Sequence, residues 1–122
     1  MSRLVLFAFV GAVACTGGRI SGDQGLTAPD GWRSYAVRAE IAPRFWVDLP
    51  KDRAAGHDYG LGLAGQGDHA VDGRWWRTLP VAAGRYYAFR AEYRARDVAT
   101  PTRSILARLL WFDTQGQQLG MA

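Results

Sequence analysis

The sequence predicts an all-β domain, an antiparallel β-sandwich of the jelly-roll kind. Three observations carry that reading. Apolar residues recur with a period of two rather than 3.6 along most of the chain. The alternating segments are separated by loops rich in Gly, Asp and Pro, such as "GQGDHAVDG" and "DVATPT". No segment combines the apolar stripe of an amphipathic helix with end caps.

At 122 residues the chain has room for one domain. Its 48% hydrophobic and 21% charged content excludes disorder throughout. The formal net charge is +4, but Lys51 is the only lysine, and the Arg, Ala and Gly content has the look of a GC-rich genome. The arginines also interleave with acids: Arg38 with Glu40, Arg90 with Glu92, Arg96 with Asp97. A phosphate-binding surface clusters its cations, so nucleic acid is not an expected partner.

Taken in order, residues 1–15 read as an export leader. Arg3 supplies positive charge, and "LVLFAFVGAVA" is an apolar run shorter than the roughly 20 residues a membrane helix needs. Cys15, the only cysteine, follows Ala-Val-Ala. Two readings of it compete. In one, "AVAC" is a bacterial lipobox, Cys15 is lipidated, and the product is a cell-envelope lipoprotein. In the other, Cys15 lies beside an ordinary leader cut. Ala12 stands where a lipobox usually has leucine. Both readings give an exported chain without an internal disulfide. Residues 16–31, "TGGRISGDQGLTAPDG", read as a flexible linker, and residues 32–122 as the β-sandwich domain.

Six strands are expected. In "SYAVRAEIA", Tyr35, Val37, Ala39 and Ile41 oppose Arg38 and Glu40. "RFWVDL" sets Phe45, Val47 and Leu49 against Arg44, Trp46 and Asp48. "YGLGLAG" is a third strand, and "RWWRTLPVA" sets Trp75, Arg77, Leu79 and Val81 against Arg74, Trp76 and Thr78. "RYYAFRAEYRA" has the clearest alternation, with Tyr87, Phe89, Ala91 and Tyr93 opposite Tyr86, Arg90, Glu92 and Arg94. "RSILARLLWFD" completes the set, with Asp113-Thr114-Gln115-Gly116 as a hairpin turn. An eight-stranded jelly roll needs more than this, so the domain is expected to be incomplete at its C-terminal end.

No motif brings catalytic chemistry. Gly60-Leu61-Gly62-Leu63-Ala64-Gly65 matches G-x-G-x-x-G, but a loop follows where a dinucleotide site needs a helix. His57-Asp58 and Asp68-His69 with Asp72 have no zinc spacing. Calcium is the metal such oxygen-rich loops would take, and a solvated loop is the preferred reading. No serine sits in a nucleophile motif and the acids alternate with arginines, so the chain is not expected to be an enzyme by itself.

Strand parity sorts the aromatics. Trp75, Tyr87, Phe89 and Tyr93 fall on core faces, whereas Trp46 and Trp76 point outward among polar neighbours. An outward tryptophan offers a flat face for stacking on a sugar ring. Arg90, Glu92 and Arg108, also outward, are candidates for hydrogen bonds to hydroxyl groups.

The order "RFWVD", "YGLGLAG", "GRWWRTLPVAAGRYYAFRAEYRA" and "RSILARLLWFDTQGQQLG" resembles the galactose-binding-like jelly roll of bacterial carbohydrate-binding modules, over residues 32–120. In that group a Trp-containing strand leads through a Gly turn into a Tyr-x-Phe strand, and a later strand ends in Trp-x-Asp-x-x-Gly. The further strands that usually follow in the group are missing. The resemblance implies carbohydrate as the partner, a structural calcium, and a catalytic domain beyond Ala122. The group's sugar-contacting aromatics vary, so Trp46 and Trp76 rest on parity alone. The expectation is a non-catalytic carbohydrate-binding module. A structural domain that docks on an adjoining catalytic domain is the alternative.

Overall fold

Aromatic and β-branched side chains on a period of two favour extended chain, and the strands gather where they are densest. A computed structural model describes residues 2–8, 18–22, 25–49 and 59–120. The strands are β1 (Ser2–Ala8), β2 (Gly18–Gly22), β3 (Arg33–Tyr35), β4 (Arg44–Leu49), β5 (Gly60–Ala64), β6 (Arg74–Val81), β7 (Arg108–Phe112) and β8 (Gln118–Leu119). Short 3-10 turns at Pro29–Gly31 and Ala39–Ile41 and one helical turn, α1 (Pro101–Ser104), complete the described elements. The chain is therefore all-β in character, as expected.

The strands form two open sheets, one ordered β3-β6-β1-β7-β8 and the other β2-β4-β5, and neither closes. Every pairing is antiparallel. Pro80 sits in β6 beyond the stretch paired to β3, which ends at Arg33↔Trp76. One side of β6 is therefore an edge at that point, the position where a strand tolerates a residue without an N–H.

The core joins the two sheets. Trp75 of β6 and Phe45 of β4 meet edge to face, with ring centroids 5.5 Å apart at 81°, a favoured aromatic geometry. The Trp75 indole N–H donates to the Gly62 carbonyl of β5 at 3.0 Å, satisfying its one polar atom inside the core. Trp32, Val47 and Leu61 complete the buried cluster, and Leu26, Ala28 and Leu109 pack against it.

Several expectations are corrected. The strand expected over residues 34–42 is only β3, followed by bends and a 3-10 turn. Its parity is reversed: Trp32, Ser34 and Ala36 are buried, while Tyr35 and Val37 are exposed. Trp32 has the larger apolar surface to bury, and Ser34 is tied inward. Its hydroxyl accepts the Leu26 amide at 2.7 Å, and its own amide donates to the Leu26 carbonyl at 2.8 Å. The segment with the clearest alternation, residues 85–95, carries no strand at all, and Tyr87, Phe89 and Tyr93 are exposed rather than core. Alternation states a readiness to pair, but pairing also requires a free neighbouring edge. The last expected strand is split into α1 and the shorter β7, with Trp111 partly exposed.

The hairpin turn after β7 lies where expected. Asp113 accepts the amides of Gln115 and Gln117 on Oδ1 at 2.9 and 2.8 Å, and Gly116 supplies the positive φ of 81°. Parts of the expected leader and linker also carry strands: β1 lies between β6 and β7, and β2 pairs with β4. A short apolar run such as "LVLFA" suits a buried central strand as well as a leader.

Candidate functional site

The expected sugar-contacting residues do not converge. Trp46 lies on the face of β4 opposite Phe45 and Val47, as parity required, yet it is only 4% exposed. Its outward, solvent-facing role is therefore corrected. The indole N–H donates to Asp48 Oδ2 at 2.9 Å, two residues along the same face. The ring covers Gly62, its cross-strand partner on β5. Glycine at that position leaves the space the indole fills. Trp76 is half-buried on β6, opposite Arg33 of β3 and on the face away from Trp75.

Arg90 and Glu92 lie in the irregular segment after β6, both well exposed, and pair with each other at 2.5 Å. Exposed pairs of this kind add little to stability. Cys15, His57 and Asp58 lie outside the described residues.

Arg108 lies elsewhere, at the start of β7, where it lines a cleft of about 380 Å³. Sites for small ligands begin at about this size. One wall comes from the end of β5 and the connection into β6, with Leu63, Asp72 and Arg74. The other comes from the end of α1 and the chain into β7, with Ser104, Leu106 and Arg108. The β5–β6 connection is pinned: the Asp72 amide donates to the Ile41 carbonyl at 2.9 Å, and the Ala70 amide donates to Asp68 Oδ1 at 2.8 Å. Its turn is made by Gln66 and Gly67, both at positive φ. Gly73 packs so close to Pro43 that a methyl group there would overlap the proline ring. The Arg74 guanidinium lies over the Tyr35 ring, 4.5 Å from its centroid, which orients that cation by contact with the ring face.

The cleft thus combines two guanidinium groups, one carboxylate and one hydroxyl with apolar walls. This set can bind by hydrogen bonds, but it lacks a nucleophile paired with a base. Among the described residues, the pKa of Tyr59 is displaced from its ordinary value. Burial, together with the hydrogen bond its hydroxyl donates to Asp30 Oδ2 at 2.7 Å, pushes it up to about 12.

Among the described residues no three His, Cys, Asp or Glu side chains come together, and Asp68 accepts the Ala70 amide. Among them, also, no helix is long and apolar enough to cross a membrane.

Sequence reasoning reached Arg108 by its outward parity but missed its companions. Ser104 and Leu106 join the cleft only because residues 101–107 leave the strand pattern, and the apolar run there had masked the break. In comparisons with protein-family models, curated proteins and solved structures, nothing matches this chain.

Proposed function

We propose that this chain is a non-catalytic carbohydrate-binding module that holds its ligand in the cleft between the β5–β6 connection and the α1–β7 segment. The observation that carries the reading is the convergence of Asp72, Arg74, Ser104 and Arg108 on a space walled by Leu63 and Leu106. A sugar presents vicinal hydroxyls on its rim and C–H groups on its face. The carboxylate accepts from hydroxyls, the guanidinium groups donate to oxygens, and leucine side chains cover the C–H face. Binding in a small, wet cleft is weak, because water-bridged contacts replace rather than add to hydration. The galactose-binding-like jelly roll and an adjoining catalytic domain belong to the same proposal, as do export and a lipid anchor at Cys15, whose maturation would remove β1 and leave the flanks of β6 and β7 open. Tryptophan stacking by Trp46 no longer does.

The test is calorimetric titration of the chain with a panel of neutral and acidic oligosaccharides. Arg108 is exposed at the mouth. Arg108→Ala is therefore expected to weaken binding roughly tenfold, about the value of one charge-assisted hydrogen bond, with the melting temperature unchanged. No binding across the panel overturns the reading.

A docking module is the second reading, and a separate observation favours it. Tyr86, Tyr87, Phe89 and Tyr93 are exposed within eight residues of one another, outside any sheet. Clustered aromatics of this kind mark interaction surfaces.

A further inference from the structure

We infer that residues 86–96 form a homotypic interface, in which the segment pairs antiparallel with the same segment of a second copy of this chain about a two-fold axis through Ala91. The segment reads "YYAFRAEYRAR" and alternates like a strand. In the structure it has none of a strand's bonds: among the described residues no backbone–backbone hydrogen bond involves it. Its shape is nevertheless compatible with pairing. From Arg85 to Arg96 no residue has a positive φ, and Asp97, at 56°, ends the extended run; Arg90 reaches Glu92 on its own side, as side chains two apart do on extended chain. A run of unpaired N–H and C=O groups flanked by aromatic side chains is a template for another strand.

The sequence of the segment selects that strand. With Ala91 on the axis, Arg90 of one copy stands opposite Glu92 of the other. Phe89 stands opposite Tyr93, and Tyr86 opposite Arg96. Two-fold symmetry makes each pair twice, as an isologous interface requires. Opposite charges and aromatic pairs are the cross-strand contacts that stabilise antiparallel pairing. Parity is also kept: Tyr87, Phe89, Ala91 and Tyr93 share one face in both copies, and Arg90, Glu92, Arg94 and Arg96 share the other.

Competing registers lose these contacts. An axis through Arg90 sets Arg90 against itself. An axis through Glu92 sets Glu92 against itself and Arg90 against Arg94. A parallel in-register pair would stack Arg90, Glu92, Arg94 and Arg96 on their own copies. The Ala91 axis puts no like charges directly opposite each other. Its partner is therefore this segment itself, with its ion pairs exchanged from within one chain to between two.

Sedimentation velocity on the full chain tests this, with Arg90→Glu and Glu92→Arg as probes. Both side chains are well exposed, so neither variant should disturb the core; an unchanged melting temperature checks that. The unaltered chain is expected to reach twice its monomer mass with rising concentration. Each single variant puts like charges opposite at two places in the dimer and should weaken association roughly tenfold or more. Mixing the two variants restores complementary charges throughout, so the mixture is expected to form a heterodimer that neither forms alone. The doubly exchanged chain, R90E with E92R, is expected to self-associate again. A chain that stays monomeric at millimolar concentration overturns the inference. So does a dimer indifferent to both reversals, or a variant mixture that remains monomeric.

Discussion

The indole of Trp46 occupies the space above Gly62, its partner across β4 and β5, so closely that a methyl group at position 62 would overlap the ring. The two residues are one packing unit. The glycine is there because the tryptophan lies flush with the neighbouring backbone, and the tryptophan is buried because the glycine admits it. Gly62→Ala is therefore expected to destabilise the fold by about 1–3 kcal/mol, the usual cost of overpacking. A denaturant midpoint measures it. Trp46→Ala in the Gly62→Ala background should cost less than Trp46→Ala alone, because residues in contact do not act additively.

Trp75 is expected to be the costliest single truncation in the core. It carries both the edge-to-face contact with Phe45 and the hydrogen bond to the Gly62 carbonyl. Trp75→Ala should lose about 3–5 kcal/mol, and the orphaned carbonyl adds to the loss. Chemical unfolding followed by fluorescence of the remaining tryptophans reads the change. A loss under about 1 kcal/mol would mean that the two sheets are not joined through this residue.

Tyr59 sets an alkaline limit. Its hydroxyl is pushed up to about 12, first by burial and then by its hydrogen bond to Asp30. The folded chain therefore holds this proton more tightly than the unfolded chain, whose tyrosines ionise near 10. The stabilisation is complete below about pH 10 and is lost as pH rises through about 12. Absorbance at the phenolate band should show a late-ionising tyrosine among the five. Tyr59→Phe should abolish that late step and flatten the stability loss between those pH values.

The hairpin after β7 depends on one carboxylate. Asp113 Oδ1 accepts two amides, those of Gln115 and Gln117. Asp113→Ala should cost about 1–3 kcal/mol. Asp113→Asn, which keeps an acceptor, should recover most of that in a thermal melt.

The strands β4, β5 and β6 were legible because their alternation is local, and β4 and β5 pair with each other a short way along the chain. The Asp113 turn was legible for the same reason, since its signal lies within four residues. Trp46 shows where parity stops. It assigns a face correctly, but burial depends on what lies across that face, here a glycine on another strand. Trp32 and Tyr35 compete for opposite parities of one segment. The outcome follows from which aromatic ring the core can enclose, a three-dimensional fact. Residues 85–95 make the same point at larger scale: their pattern is the strongest in the chain, yet no described strand pairs with them. The candidate cleft was legible only in Arg108, since Ser104 and Leu106 reach it through a break in the pattern.

The position of β1 bears on how this chain folds in time. β1 joins β6 to β7, with Ser2 opposite Val81 and Arg3 opposite Phe112. The larger sheet therefore waits until β7, far along the sequence from β1, has been synthesised. Contacts so distant in sequence cost loop-closure entropy before they return any stability, and folds built on them assemble on the order of milliseconds to seconds. Meanwhile β6 and β7 each have an open flank, and "LVLFA" remains an apolar strand without neighbours, so the nascent chain passes through an interval in which it can aggregate.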